Sequence, residues 1–452
     1  KDKKVLILGL AKSGFYAAKL LNKLGAQVIV NDKKDLTKDK KANQLKKMGI
    51  TIISGEHPSD LLKTKFDLLV KNPGIPYSNS VIKKAQSKKI PIITEVEVAN
   101  SVSKGHLIGI TGTNGKTTTT IIIQRMLSLN RSKGSAYAVG NIGVPASQLA
   151  LNVEEIDDLV MELSSFQLEG TPTIHPEIAV VTNITKAHID YHGSVEAYIE
   201  AKLKLVRNQT EEDVLIYNDD QKGLKELLRE NSNAQLLPFS RQRYLKEGIS
   251  TENNSIYFKE EKIADVSEIS IKGKHNLENF LAAIAVAKVK KVRNKDIKKI
   301  MREFKGVKHR TQFVLEWNKR SFYNDSKATN IEATENALSG FSQPVILLAG
   351  GLDRGEDYKK LLPYLKKHVK AVVLFGETVN ELEKIAKLAG IEEIRKVDEM
   401  KEAVKVAYRV SSPKDIILLS PAAASWDEYK NFEARGNHFI DSVNELINTA
   451  NN

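Results

Sequence analysis

Short β-branched runs separated by helical patterns recur along most of this chain, and that alternation limits its fold more than any other feature. Runs at residues 5–8, 28–30, 51–53, 68–70 and 90–93 occupy the first stretch, with an amphipathic pattern at 13–24 that Gly25 stops. Strands joined through helices pair side by side in parallel, so a sheet covered by helices on both faces is expected. The style continues with runs at 106–110, 159–163, 178–182 and 214–217. Between 235 and 273 it changes: strands expected at 255–258, 263–266 and 268–271 leave no room for helices and should pair antiparallel. A helix at 275–289 closes this stretch. Alternation returns with runs at 345–349, 371–375 and 416–419, which end in Gly350-Gly351, Gly376 and Ser420-Pro421. Ligands bind at such carboxyl ends in open α/β sheets. The fold class expected is α/β in three domains, 1–94, 95–305 and 306–452. The central one should have a mostly parallel sheet plus a small antiparallel sheet.

Composition narrows the function. No run approaches the ~18 uninterrupted apolar residues of a membrane span, and the apolar run after Lys1-Asp2-Lys3-Lys4 is too short for a signal peptide. Cysteine is absent, which excludes disulfides and thiolate metal sites. A cytoplasmic protein without membrane insertion is the expectation. The net charge of +13 comes from lysines scattered over many helical patterns. It reads as a Lys-rich surface or as attraction for anionic substrates such as nucleotides. No arginine/aromatic ladder marks a nucleic-acid groove.

The strongest motif is Gly109-Ile110-Thr111-Gly112-Thr113-Asn114-Gly115-Lys116-Thr117, a strand feeding a glycine-rich turn that feeds a helix. Backbone N–H groups in such a turn face inward and cradle phosphate oxygens, aided by the helix N-terminus. Lys116 would neutralise terminal phosphates and the Thr117 hydroxyl would ligate Mg²⁺. Ile110 holds the place of the first glycine in the usual pattern. The helix at 117–129 is rich in Thr and Ile, weak helix formers, so packing must hold it.

Other polar residues leave two readings each. Glu162 interrupts an apolar strand; buried alone it would cost several kcal/mol, so it meets either Mg²⁺ or a basic side chain. His188 follows a strand and reads as a ligand or as a polar loop residue. Lys202, on a helix expected at 195–207, reads by spacing as a surface lysine. Asp325 and Lys327, in Asn324-Asp325-Ser326-Lys327-Ala328-Thr329-Asn330, could hold a ribose, a metal or an anion, or simply make a turn. Gly9-Leu10-Ala11-Lys12-Ser13-Gly14, with Asp32 18 residues later, is a degraded dinucleotide fingerprint; Ala11 stands where a second glycine should be.

Together these segments resemble the Mur ligase family over nearly the whole chain and in the family's order. Thr111 to Thr117 is similar to its T-G-T-N-G-K-[ST] loop. Glu162-Leu163-Ser164-Ser165-Phe166-Gln167-Leu168 is similar to a segment typical of the D-glutamate-adding member. So are Gly350-Gly351-Leu352-Asp353-Arg354-Gly355 and Ser420-Pro421-Ala422-Ala423-Ala424-Ser425-Trp426-Asp427 with Lys430-Asn431-Phe432-Glu433.

The resemblance implies a Rossmann-like UDP-sugar domain, a P-loop ATPase domain and a Rossmann-like C-terminal domain that binds the amino acid. It implies a monomeric ligase that uses ATP and Mg²⁺ to join D-glutamate to UDP-N-acetylmuramoyl-L-alanine through an acyl phosphate. It assigns Gly112, Thr113, Asn114, Gly115, Lys116, Thr117, Asn276, Asn279, Arg310 and Asp325 to ATP. Thr117, Glu162, His188 and Lys202 go to the metal, with Lys202 matching a lysine that the family carbamylates. Lys116, His188 and Lys202 are the implied catalytic residues. Lys327, Thr329, Arg354, Ser425 and Phe432 would hold D-glutamate, and Ser13, Asp32, Lys33, Gly74 and Asn141 would line the UDP-sugar path.

The chain departs from the pattern at several positions. Ala187 and Tyr191 stand where Asp and Arg are common, Asn72-Pro73-Gly74 replaces Ser-Pro-Gly, Ala423 replaces a frequent Cys, and Arg354 takes the place of a lysine. Because the site draws on central and C-terminal stretches, closure of the third domain over ATP is expected. Three competitors remain: a folate polyglutamate synthetase, which shares the phosphate loop; an NAD-dependent oxidoreductase built on the first stretch; and a non-catalytic nucleotide switch.

Overall fold

A computed structural model describes residues 2–129, 131–271 and 273–451, the side chains of Asp190, Ala450 and Asn451 excepted. The chain forms two compact units, Lys1–Glu303 and Phe304–Asn452. Among the described residues, three sheets give a three-domain α/β architecture in which most strands run parallel.

The first sheet contains β1 (Lys4–Leu8), β2 (Gln27–Asp32), β3 (Thr51–Ser54), β4 (Leu68–Lys71) and β5 (Ile92–Ile93), in the order β3-β2-β1-β4-β5. All pairs are parallel. β1 is an apolar run buried from Val5 to Leu8, as a strand covered on both faces must be. The chain reverses direction in the sheet between β1 and β4, which opens a crevice at their carboxyl ends.

The second sheet contains β6 (His106–Thr111), β7 (Ala136–Gly140), β8 (Asp158–Glu162), β9 (Ile178–Val181), β10 (Val214–Asn218), β11 (Gln235–Ser240), β12 (Ile249–Glu252), β13 (Ser255–Phe258) and β14 (Glu261–Asp265). The order is β14-β13-β12-β11-β10-β9-β6-β8-β7, with the phosphate-loop strand β6 between β9 and β8. The antiparallel element is present, as β12-β13-β14, but it continues the edge of the parallel sheet through a parallel β11–β12 pair. The strand expected at 268–271 does not form. Asp265 and Glu268 close a reciprocal capping box around a 3-10 turn, Val266–Glu268, and Arg302 ties Glu268 down. The helix Lys116–Leu129 buries Thr117, Thr119, Thr120, Ile122, Ile123, Met126 and Leu127 and packs against helix Lys274–Val289. Burial of that face offsets its weak propensity.

In the second unit, β15 (Gln312–Trp317), β16 (Arg320–Asn324), β17 (Val345–Gly350), β18 (Val369–Phe375), β19 (Glu393–Lys396) and β20 (Ile416–Leu419) form the order β15-β16-β20-β17-β18-β19. Only the β15–β16 pair is antiparallel. Apolar clusters cover both faces, and the C-terminal helix Phe432–Asn451 contributes Phe439 and Val443 to one of them. Among the described residues no helix is long and apolar enough to cross a membrane.

Candidate active site

The loop from Thr111 to Lys116 is held open by its neighbours. Gly112 and Gly115 have φ of 148° and 84°, and a Cβ on them would lie 2.0 Å from Thr182 Oγ1 and 2.3 Å from Asn279 Oδ1. Both the conformation and the space therefore require glycine. The Thr113 N–H donates to the Asn183 carbonyl (2.9 Å) and the Asn114 N–H to Asn183 Oδ1 (2.9 Å). Thr182 Oγ1 donates to the Asn114 carbonyl (2.6 Å). Lys116, the first helical residue, folds back so that Nζ donates to the carbonyls of Gly112 and Thr113, each at 2.8 Å. Asn279 reaches this loop from helix Lys274–Val289, and Asn276 sits one turn earlier on it.

Glu162 ends β8 directly beside β6, paired with Ile110 and Gly140. Asn141 Nδ2 donates to its Oε1 (2.9 Å), whereas its buried Oε2 has no hydrogen bond. Lys202 is the surprise. Spacing placed it on the surface, but it is 2% exposed, because its helix, Val195–Leu203, packs Tyr198, Ala201, Lys202 and Leu203 inward. The helix stops short of the expected Arg207. Lys202 Nζ lies over the Tyr198 ring (4.8 Å) and donates to the Gly112 carbonyl (2.6 Å). Burial first, and then Lys116, hold its pKa well below the ordinary lysine value; Glu162 pulls the other way. The shift is towards the neutral amine. His188 has φ of 53° and caps the short helix Ile189–His192; its ring lies 4.9 Å from that of Phe166 and 6.1 Å from that of Tyr198. Tyr198 in turn exchanges a hydrogen bond with Thr113 (2.9 Å). Lys116, Glu162, His188 and Lys202 are thereby gathered around the phosphate loop.

The crevice of the first sheet is built from the β1 and β4 loops. Asp32 accepts from the N–H groups of Leu10 (2.7 Å) and Lys34 (2.9 Å), and Lys33 beside it is exposed. Asn72 Nδ2 donates to Ser13 Oγ (3.3 Å), and Asn72 Oδ1 accepts from the Gly74 N–H (3.0 Å). Ser13, Asp32, Lys33 and Gly74 thus share this end of the sheet. Asn141 points to Glu162 instead, although its loop touches the first sheet's side where Lys12 Nζ donates to the Gly143 carbonyl (2.9 Å).

In the second unit, Asp325 follows β16. It accepts from the Thr311 N–H (2.9 Å) and Ser420 Oγ (2.8 Å), with Arg310 nearby. Burial raises its pKa to about 6 against those opposing contacts. Lys327 Nζ lies 6.0 Å from the Phe432 ring centroid, and the Thr329 N–H donates to the Lys327 carbonyl (2.9 Å). Arg354 lies over the exposed ring of Trp426 (5.5 Å), and Ser425 is buried beside it in sequence.

Sequence reasoning missed what organises these loops. Asn183 and Thr182 shape the phosphate loop. Arg435, fully buried, spends all five donors on the second unit: Nε on Ser326 Oγ (3.1 Å), Nη1 on the carbonyls of Gly350 and Ala424 (both 3.3 Å), and Nη2 on those of Ser326 and Ala423 (both 3.0 Å). An arginine three residues past Phe432 carries no sequence signal of that role.

Comparison with known proteins agrees with this layout. Family models match residues 3–94 (Mur ligase MurD-like, N-terminal domain), 110–287 (Mur ligase middle domain) and 309–423 (Mur ligase, glutamate ligase domain). The UDP-N-acetylmuramoylalanine–D-glutamate ligase of Lactiplantibacillus plantarum is 52% identical over 450 residues, covering 100% of this chain and 98% of the relative. That of Enterococcus faecalis is 52% identical over 447 residues, covering 99% and 97%. Among solved structures, the UDP-N-acetylmuramate–alanine ligase of Thermotoga maritima superposes with a TM-score of 0.58 at 19% identity, covering 98% of this chain and 100% of that one. A MurF ligase from the same organism, in complex with ADP, gives 0.56 at 17%, covering 99% and 96%. The chain belongs to the Mur ligase family.

Proposed function

We propose that this chain is an ATP-dependent ligase that joins D-glutamate to UDP-N-acetylmuramoyl-L-alanine through an acyl phosphate, in cell-wall precursor synthesis. The observation that carries the reading is the gathering of Lys116, Glu162, His188 and a buried Lys202 around one phosphate loop. The likeness to D-glutamate ligases along the full chain supports the choice of substrates.

A carboxylate resists attack by an amine because it is anionic and offers a poor leaving group; as an acyl phosphate it does neither. Its approach to the γ-phosphate meets Coulomb repulsion of about 4 kcal/mol at 4 Å and an effective dielectric of 20. Lys116 opposes that repulsion from the loop, and backbone N–H groups of the loop other than those of Thr113 and Asn114, which Asn183 takes, orient the phosphates. Arg310 and Asp325, with Asn276 and Asn279, serve ATP in this reading. Lys327, Thr329, Arg354, Ser425 and Phe432 serve D-glutamate, whose amine then displaces phosphate. Ser13, Asp32, Lys33, Gly74 and Asn141 serve the uridine-linked substrate. The corresponding division is 1–94, 95–305 and 306–452.

The residues fit Mg²⁺. Glu162 Oε2 is a buried anionic oxygen with no hydrogen bond, beside a hydroxyl-bearing phosphate loop. Among the described residues no three His, Asp or Glu side chains converge on one point, and a carbamate on Lys202 supplies a further oxygen. The lowered pKa suits that modification, since the free amine adds to CO₂ and releases one proton. Thr117, Glu162, His188 and carbamylated Lys202 would hold the ion, which when bound adds positive charge at the phosphates. We place the enzyme in the cytoplasm as a monomer.

The test is phosphate release from ATP with UDP-N-acetylmuramoyl-L-alanine and D-glutamate, L-glutamate, L-alanine or L-lysine. Release that depends on D-glutamate supports the reading. Release with another acceptor alone, or with none, overturns it.

A further inference from the structure

One buried cation has no part in the assignments above. Lys71 ends β4, is 1% exposed, and uses Nζ on the carbonyls of Pro73 (3.1 Å) and Ile75 (3.0 Å) and on the Tyr191 hydroxyl (3.0 Å). The rings of Tyr77 and Tyr191 lie 4.9 and 5.7 Å away, and the carboxylate of Glu169 is close enough to favour the charge. Burial lowers the pKa to about 8, so the ammonium still prevails at neutral pH. An ammonium has three donors; here two hold the 72–75 loop of the first sheet and the third holds a residue of the second.

Tyr191 completes the link. Its hydroxyl donates to the Pro73 carbonyl (2.9 Å), with the Ile75 carbonyl 3.2 Å away. It sits on the short helix that begins at His188, and its ring packs on Phe166 (4.4 Å), the ring that also meets His188. The 72–75 loop in turn reaches Ser13 through Asn72. Desolvating a lysine only to fill space is unfavourable, and a methionine would pack the same volume more cheaply. A buried cation whose three bonds divide between two ligand-bearing loops fixes their register instead.

We propose that Lys71 and Tyr191 are positioning residues that lock the 72–75 loop to the His188 turn, so that the uridine-linked substrate presents its carboxylate to the phosphate loop. The inference rests on the ligase reading above. It places the pair under KM for that substrate, and not under ATP binding.

Steady-state phosphate release by the full chain tests it, with the unaltered protein alongside. Lys71→Met and Tyr191→Phe should each raise KM for UDP-N-acetylmuramoyl-L-alanine about tenfold while leaving KM for ATP within about twofold. The double variant should be no worse than the poorer single one, because both break one link. Tyr191→Arg sets a second cation against Lys71 and should be worse than Tyr191→Phe. Adding Lys71→Met to Tyr191→Arg should recover activity, since the guanidinium can donate to Pro73 and Ile75 and face Glu169. Tyr191→Phe keeps the ring on Phe166 and serves as the variant that folds. Equal changes in both KM values, no change in either, additive losses, or no recovery by the paired change would overturn the link. An unaltered protein without D-glutamate-dependent release would instead overturn the ligase reading itself.

Discussion

Lys202 and Arg435 are both cations taken out of water, 2% and 0% exposed, yet their surroundings differ in kind. Arg435 gives every donor to a carbonyl or hydroxyl, on the segments that carry Lys327, Arg354 and Ser425. A guanidinium stays charged in proteins; even lowered by burial, its pKa here is about 10. Among the described residues Lys202 Nζ has a single hydrogen-bond acceptor, the Gly112 carbonyl, and burial drives it towards the neutral amine. The difference teaches that the number of bonds around a buried cation separates a clamp from a reagent. A saturated one holds backbone in place. An undersatisfied one is free to change chemical form.

The comparison breaks first at Lys202. Lys202→Ala should lower turnover on the order of 10³-fold or more, as loss of a charge-organising group at a phosphoryl-transfer site does. A short-chain carboxylic acid should restore part of the rate if a carbamate is the working group. Absence of rescue at any concentration would make Lys202 a clamp like Arg435, and the contrast would be gone.

Arg435 should behave in the opposite way. Arg435→Met removes the donor to four buried carbonyls and to the Ser326 hydroxyl, of which the Ala424 carbonyl keeps the Leu352 N–H and the Ser326 hydroxyl keeps the Phe432 carbonyl, at a cost of about 3–4 kcal/mol after relaxation. The urea midpoint should fall, and KM for D-glutamate should rise while KM for ATP holds. No added guanidinium compound should rescue it, because the loss is of packed loop geometry. A normal urea midpoint would show that the loops keep their shape unaided.

How much of this was legible in the sequence follows from the same contrast. Lys116 was readable because a phosphate loop needs glycines and a lysine at fixed local spacing. The alternation of strands and helices was readable because burial on both faces imposes it. Lys202 and Arg435 were not readable from spacing, since each sits on a helix whose pattern looks ordinary and only tertiary packing buries it. The missing strand at 268–271 failed for a local reason: the Asp265–Glu268 capping box satisfies the backbone before a ladder can. Asn183 was invisible because it acts through its backbone as much as its side chain.

A buried anion extends the comparison. Asp325 is raised from 3.8 to about 6 by burial. A raised acid contributes stability that is full below the unfolded value and lost as pH climbs through the folded one. Between pH 4 and pH 8 the loss is on the order of 2–3 kcal/mol. Asp325→Asn removes it, so the variant's melting temperature relative to the unaltered protein should be more favourable at pH 8 than at pH 5. A difference that stays constant, or runs the other way, would mean that Thr311 and Ser420 already satisfy the charged form.

The smallest effect concerns Asn141, among the described residues the one hydrogen-bond partner of the Glu162 carboxylate. Asn141→Ala frees that carboxylate to rotate, and the Mg²⁺ concentration for half-maximal phosphate release should rise about tenfold, as expected when a group that orients a ligating side chain is lost. The family resemblance places Asn141 on the UDP-sugar path, whereas its side chain points to Glu162. The two roles separate cleanly: a change in Mg²⁺ dependence with KM for the uridine-linked substrate unchanged makes Asn141 a partner of the anion beside Lys202. The reverse pattern returns it to the sugar path, and Glu162 then keeps its orientation through β8 alone.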